Sequence, residues 1–123
     1  MTTQAHALAE RYIASWNETD ALRRRNLIEE VYAEHARYTD PMVDASGWQA
    51  IDATIAGVQG MFPGHRFSLA GVVDAHHDTL RFQWHLAEPG AAEPLVIGFD
   101  VASLEGGRIR QVFGFLDKVP TLA

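Results

Sequence analysis

The chain has 123 residues, 47% hydrophobic and 21% charged, with a formal net charge of −6. That length predicts a single domain over 1–123, burying roughly two-thirds of the extended chain's surface around a real core. The acidic balance, with a sequence pI near 5.4, opposes nucleic acid and anionic membranes as partners, and the absence of cysteine excludes disulfides and thiolate metal sites.

From Ala5 to Trp16 the apolar positions Ala5, Leu8, Ala9, Tyr12, Ile13 and Trp16 recur three and four residues apart, one face of a helix. Thr19 and Asp20 offer an N-cap for a second helix, whose stripe is Leu27, Ile28, Val31 and Tyr32, with the Arg23–Arg25 triplet on its solvent face. A short strand, His35 to Asp40, follows. "SGWQ" at 46–49 has the form of a capping box opening a third short helix that ends near Gly57 to Gly60, and Pro63 and Gly64 mark a turn.

The period then changes to two. Phe67, Leu69 and Val73 alternate in one segment, and Leu80, Phe82, Trp84 and Leu86 in the next, with Arg81, Gln83 and His85 facing the other way. Glu88 to Pro94 is a loop. A strand from Leu95 to Leu104, the turn signal "EGG" at 105–107 and a last strand from Arg108 to Leu116, with Ile109, Phe113 and Phe115 on one face, complete the chain. Helices followed by hairpin-linked strands predict an α+β fold with a mostly antiparallel sheet. The N-terminus lacks a charged segment followed by a long apolar run, and no stretch is long and apolar enough to span a membrane, so a cytoplasmic protein is expected.

Two carboxylates stand out. Asp40 precedes Pro41, which biases it toward extended geometry at a strand end; it either caps a turn or aims a general base into a cavity. Asp100 alternates with Val96, Gly98 and Ala102, while Leu95, Ile97, Phe99 and Val101 face the opposite way. Both faces are apolar, so its carboxyl lies against protein and needs a partner, Arg81 or Arg110 in a purely structural reading. Trp16, Trp48, Phe62, Trp84 and Phe113 are either core or the apolar wall of a pocket for a small hydrophobic molecule, with His85 as a polar contact. His76 and His77, being adjacent, point to opposite faces of a strand, and no metal site is expected.

The order of elements, with "ERYIASWN", "YAEHARYTDP", "SGWQAI", "FQWHL" and "GFDVASLEGGRIRQVFGFLD", resembles the nuclear transport factor 2-like superfamily over nearly the whole chain, in particular its SnoaL-like branch. The resemblance implies a cone-shaped fold, a strongly curved sheet and three N-terminal helices around a pocket, and a homodimer. It also implies that Tyr12, Asp40 and Asp100 meet there. In ketosteroid isomerases a tyrosine of the first helix and an aspartate of a late strand donate to an oxyanion, while an aspartate of a "DP" pair moves the proton; each type stands at the matching place here. A supporting tyrosine of the third helix is replaced, at Ile55.

The implied activity is cofactor-independent acid–base chemistry on a small apolar carbonyl compound, of isomerase or polyketide-cyclase type, with Asp40 as base and Tyr12 and Asp100 as donors. Two alternatives stand beside it. One is a pocket or assembly module that binds without turnover; the other is an epoxide hydrolase built on Asp40, Arg81 and Asp100.

Overall fold

The computed structural model describes residues 2–120. Three helices, α1 (Thr2–Asn17), α2 (Ala21–Val31) and α3 (Trp48–Met61), pack against a sheet of β1 (Tyr32–Asp40), β2 (Val43–Ser46), β3 (Arg66–His76), β4 (Thr79–Ala87), β5 (Val96–Glu105) and β6 (Arg108–Lys118). The strand order is β2-β1-β6-β5-β4-β3, open at both edges. All pairs are antiparallel except β1 with β6. This is the expected α+β, cone-like arrangement.

The α1 stripe forms as its periodicity dictates: Ala5, Leu8, Ala9, Tyr12, Ile13 and Trp16 are all buried. The helix crosses β3 and leans on α2. Asp20 caps α2 by accepting from the Arg23 backbone N–H at 2.9 Å, a bond worth about 0.5–2 kcal/mol. Ile28, Ile55 and Phe82 meet the core from α2, α3 and β4, each contributing about 1.5–3 kcal/mol by leaving water.

Several local readings need correction. Tyr32 begins β1 directly after α2, and β2 was not foreseen. The capping box does not form, because Ser46 pairs with Arg37 in the β1–β2 hairpin and its backbone is committed to the strand; Gly47, at φ 88°, is the cap residue of α3 instead. That helix runs on through Gly57 and Gly60 to Met61. Arg24 is not on the solvent face. It is buried, donating to Asp52 Oδ1 at 2.7 Å, to Gln59 Oε1 at 3.1 Å and to the Glu18 carbonyl at 3.2 Å.

The strands are irregular where the sheet bends. Between β3 and β4 the register slips at Ala70 to Asp74, around Gly71 at φ 74°. Between β5 and β6, Ser103 faces Gln111 while Leu104 faces Ile109, leaving Arg110 as an extra residue. Such bulges kink a strand and increase its twist. The turn at Gly106 and Gly107, with φ of 58° and 81°, joins β5 to β6, and positive φ at both central residues suits a tight hairpin. Among the described residues, no helix is long and apolar enough to cross a membrane.

Candidate functional site

A cavity of about 610 Å³ lies between α1, the C-terminal end of α3 and the inner face of the sheet. Its walls are overwhelmingly apolar. Aromatic rings of Trp16, Phe62, Phe67 and Trp84 form much of the surface, and its polar groups come from Tyr12, Tyr38, Asp40 and Asp100.

Tyr12 reaches the cavity from α1 because it belongs to the helix's buried stripe, and Asp100 reaches it from β5 because even-numbered residues of that strand face inward. They meet at once: the Tyr12 hydroxyl donates to Asp100 Oδ2 at 2.8 Å. The structural alternative, an ion pair with arginine, does not form: Arg110 is exposed and Arg81 lies on the outer face beside Asp74, 3.4 Å away. The three-residue set of Asp40, Arg81 and Asp100 therefore does not assemble.

Asp40 is both a turn cap and a cavity residue. Its Oδ1 accepts from the Met42 and Val43 backbone N–H groups, each at 2.9 Å, across the turn that Pro41 shapes. Its Oδ2 accepts from the Tyr38 hydroxyl at 2.7 Å. Gly114 of β6 lets the two acids come together. A Cβ there would stand 3.1 Å from Asp100 Oδ1 and 3.3 Å from Asp40 Cβ.

Burial, above all, pushes Asp100 up from 3.8 to about 6; the Tyr12 hydroxyl and the neighbouring Trp84 indole work against this, and the charge of Asp40 adds to it. Burial and then the Asp100 charge hold Tyr12 well above the ordinary tyrosine range, and the same two causes raise Tyr38. Both hydroxyls therefore keep their protons and serve as donors. Asp100 Oδ1 is buried and accepts no hydrogen bond among the described residues.

Three of the expected wall residues lie elsewhere. Trp48 opens α3 and donates its indole N–H to the Tyr32 carbonyl at 2.9 Å, with the Arg25 guanidinium 5.9 Å above its ring, so it fastens helix to strand. His85 pairs with Ser68 and Ile97 on the outer face, the reverse of Trp84. Phe113 is 40% exposed on that outer face. Simple alternation put it with Ile109, but the extra residue Arg110 reverses the parity, so Ile109 and Val112 both point inward. The cavity does include Trp16, Phe62 and Trp84. His76 and His77 meet edge to face at the β3–β4 hairpin, and among the described residues no three metal-ligating side chains converge.

The model of the SnoaL-like domain family matches residues 9–112. The chain belongs to the SnoaL-like family. A crystal structure of a proposed isomerase of this family from Agrobacterium tumefaciens strain C58 is similar over 94% of this chain and 98% of that one, with 45% identity and a TM-score of 0.88. At 18% identity the likeness concerns the fold alone: a proposed ketosteroid isomerase from Kribbella flavida DSM 17836 covers 99% of this chain and 84% of its own at TM-score 0.71. A proposed SnoaL-like polyketide cyclase from Jannaschia sp. CCS1 covers 94% and 87% at 0.73. Among curated proteins, no sequence match is found.

Within this SnoaL-like cavity three contributors escaped the sequence reading. Tyr38 sits two residues before Asp40, and that spacing on one strand face was the available signal. Gly98 carried none, since its reason is tertiary: a Cβ there would lie 2.0 Å from Cζ2 of Trp84, whose indole lies flat on β5. Gly114 is the third, for the reason already given.

Proposed function

We propose that this SnoaL-like protein is a cofactor-independent acid–base enzyme acting on a small, largely apolar carbonyl compound, of isomerase or cyclase type. The observation that carries the reading is the convergence of Tyr12, Asp40 and Asp100 on one otherwise apolar cavity. Removing a proton next to a carbonyl needs a base, worth about 10²- to 10⁴-fold, and donors for the oxygen that gains charge, each worth about 10²- to 10³-fold. Asp40 Oδ2 is the base, steadied by Tyr38.

Tyr12 turns its O–H from Asp100 to the ligand oxygen. Neutral Asp100 carries its proton as the second donor, a state favoured below about pH 6. The proton removed from carbon is held on Asp40 and returned at another carbon in an isomerase, or passed to the new alkoxide in a cyclase. The test is α-proton exchange in heavy water with cyclic and steroidal ketones. Exchange that disappears in Asp40→Asn supports the reading, and equal exchange in both proteins refutes it.

A second reading, binding without turnover, is favoured by the three donors that already occupy the Asp40 carboxylate. It expects ligand affinity to survive Asp40→Asn and exchange to be absent from the outset. In either reading two copies pair through the outer sheet face, where Phe113 and Phe115 are exposed. Light scattering on Phe115→Glu checks this, a persistent dimer counting against it.

A further inference from the structure

The cavity's charges are all of one sign. Asp40 and Asp100 are the ionisable acids of its wall, and no lysine, arginine or histidine joins them among the described residues. Basic side chains outside the wall have partners of their own. Lys118 donates to the Pro94 carbonyl at 2.8 Å beside Glu93, and His65 stands 3.9 Å from Glu88. Arg24 is turned to Asp52 and Gln59, and Arg37 is held by Asp44 on the outside. The surrounding walls are aromatic and apolar, so charge inside is weakly screened.

A carboxylate entering this space would lose its hydration and meet two acids without a counter-ion, an arrangement that burial makes costly. A protonated amine would meet the opposite. It finds an acceptor at Asp100 Oδ1, which is buried and accepts no hydrogen bond among the described residues, a second carboxylate at Asp40, and ring faces that attract cations. An uncharged ketone falls between the two.

We propose that the cavity selects its ligands by charge, admitting uncharged and cationic apolar compounds and rejecting the corresponding carboxylates, with Asp40 and Asp100 as the selecting groups. This rests on the cavity being the ligand site, as proposed above, and not on proton transfer taking place there. It narrows the substrate class to carbonyl compounds bearing no acid, phosphate or nucleotide-linked ester, and makes hydrophobic amines the natural inhibitors.

The test uses three probes of one shape at pH 8: 2-acetylnaphthalene, 1-(2-naphthyl)ethylammonium and 2-naphthoate, titrated calorimetrically into the protein. The expected order is ammonium at least as tight as ketone, and naphthoate at least about a hundredfold weaker than ketone, since one like charge about 6 Å away at an effective dielectric near 20 already requires that much. In Asp40→Asn and in Asp100→Asn the gap between ketone and naphthoate narrows at least tenfold. Naphthoate binding within threefold of the ketone, or a gap unchanged in both variants, overturns the proposal. If none of the three binds, the cavity is not the ligand site, and the proposed function falls as well. Charge selection without α-proton exchange sustains this inference and sinks only the catalytic reading.

Discussion

Replacing Asp100 by asparagine isolates what it costs to keep an acid in this cavity. The side chain is 2% exposed, and burial raises it from 3.8 in the unfolded chain to about 6 in the fold. Below pH 4 both states hold the proton, and above pH 6 neither does. Between these values the native protein holds a proton that the unfolded chain lacks, so Asp100 makes stability fall as pH rises. At about 1.4 kcal/mol for each pH unit the loss is about 3 kcal/mol. Asparagine keeps an acceptor for the Tyr12 hydroxyl and does not ionise. Urea unfolding of both proteins from pH 4 to 7.5, followed by tryptophan fluorescence, gives the difference in stability free of the other carboxylates. That difference should move toward Asp100→Asn by about 3 kcal/mol across the window. A difference that is flat with pH, or that moves toward the wild type, would show that Asp100 is not a strained, buried acid.

Other consequences are equally open to measurement. Gly98→Ala sets a methyl 2.0 Å from the Trp84 ring, so it should cost about 1–3 kcal/mol by overpacking and shift the tryptophan emission as the cavity wall moves. Gly57→Ala, on an exposed turn of α3 with nothing within 4 Å of the added carbon, should instead stabilise by about 0.5–1 kcal/mol; both are read by thermal unfolding. Arg24→Ala strands Asp52 and Gln59 beneath α2 and should cost about 2–3 kcal/mol in chemical denaturation, since one partner of a largely buried pair is lost. If Asp100 donates to the oxyanion, ketone α-proton exchange falls as pH rises through about 6, and the pH profile of Asp100→Asn lacks that step.

The parts of the fold that local pattern controls were legible in advance. The α1 stripe is buried residue for residue, and the inward set of β4, Leu80, Phe82, Trp84 and Leu86, is the set that alternation picks out. Readings failed where a tertiary partner overruled local chemistry. Ser46 has the composition of a helix cap but is claimed by Arg37 across a hairpin. Arg24 looks like surface charge until α3 supplies Asp52 and Gln59. Phe113 changes face because one extra residue enters β6 opposite β5, which no alternation within β6 alone reveals. At the site, the residue types of Tyr12, Asp40 and Asp100 were readable from the resemblance, whereas the glycines that make room between strands answer to neighbours distant in the chain.

The most direct measurement is deuterium incorporation next to the carbonyl of a ketone whose binding has been established by titration, compared between the wild type and Asp40→Asn at equal occupancy and at a pH below 6. The account predicts that the wild type exchanges the α-proton at least a hundredfold faster than the variant, as loss of a positioned base requires. A bound ketone that exchanges no faster in the wild type than in Asp40→Asn would contradict it, and would leave the cavity a place where the ligand is held without being transformed.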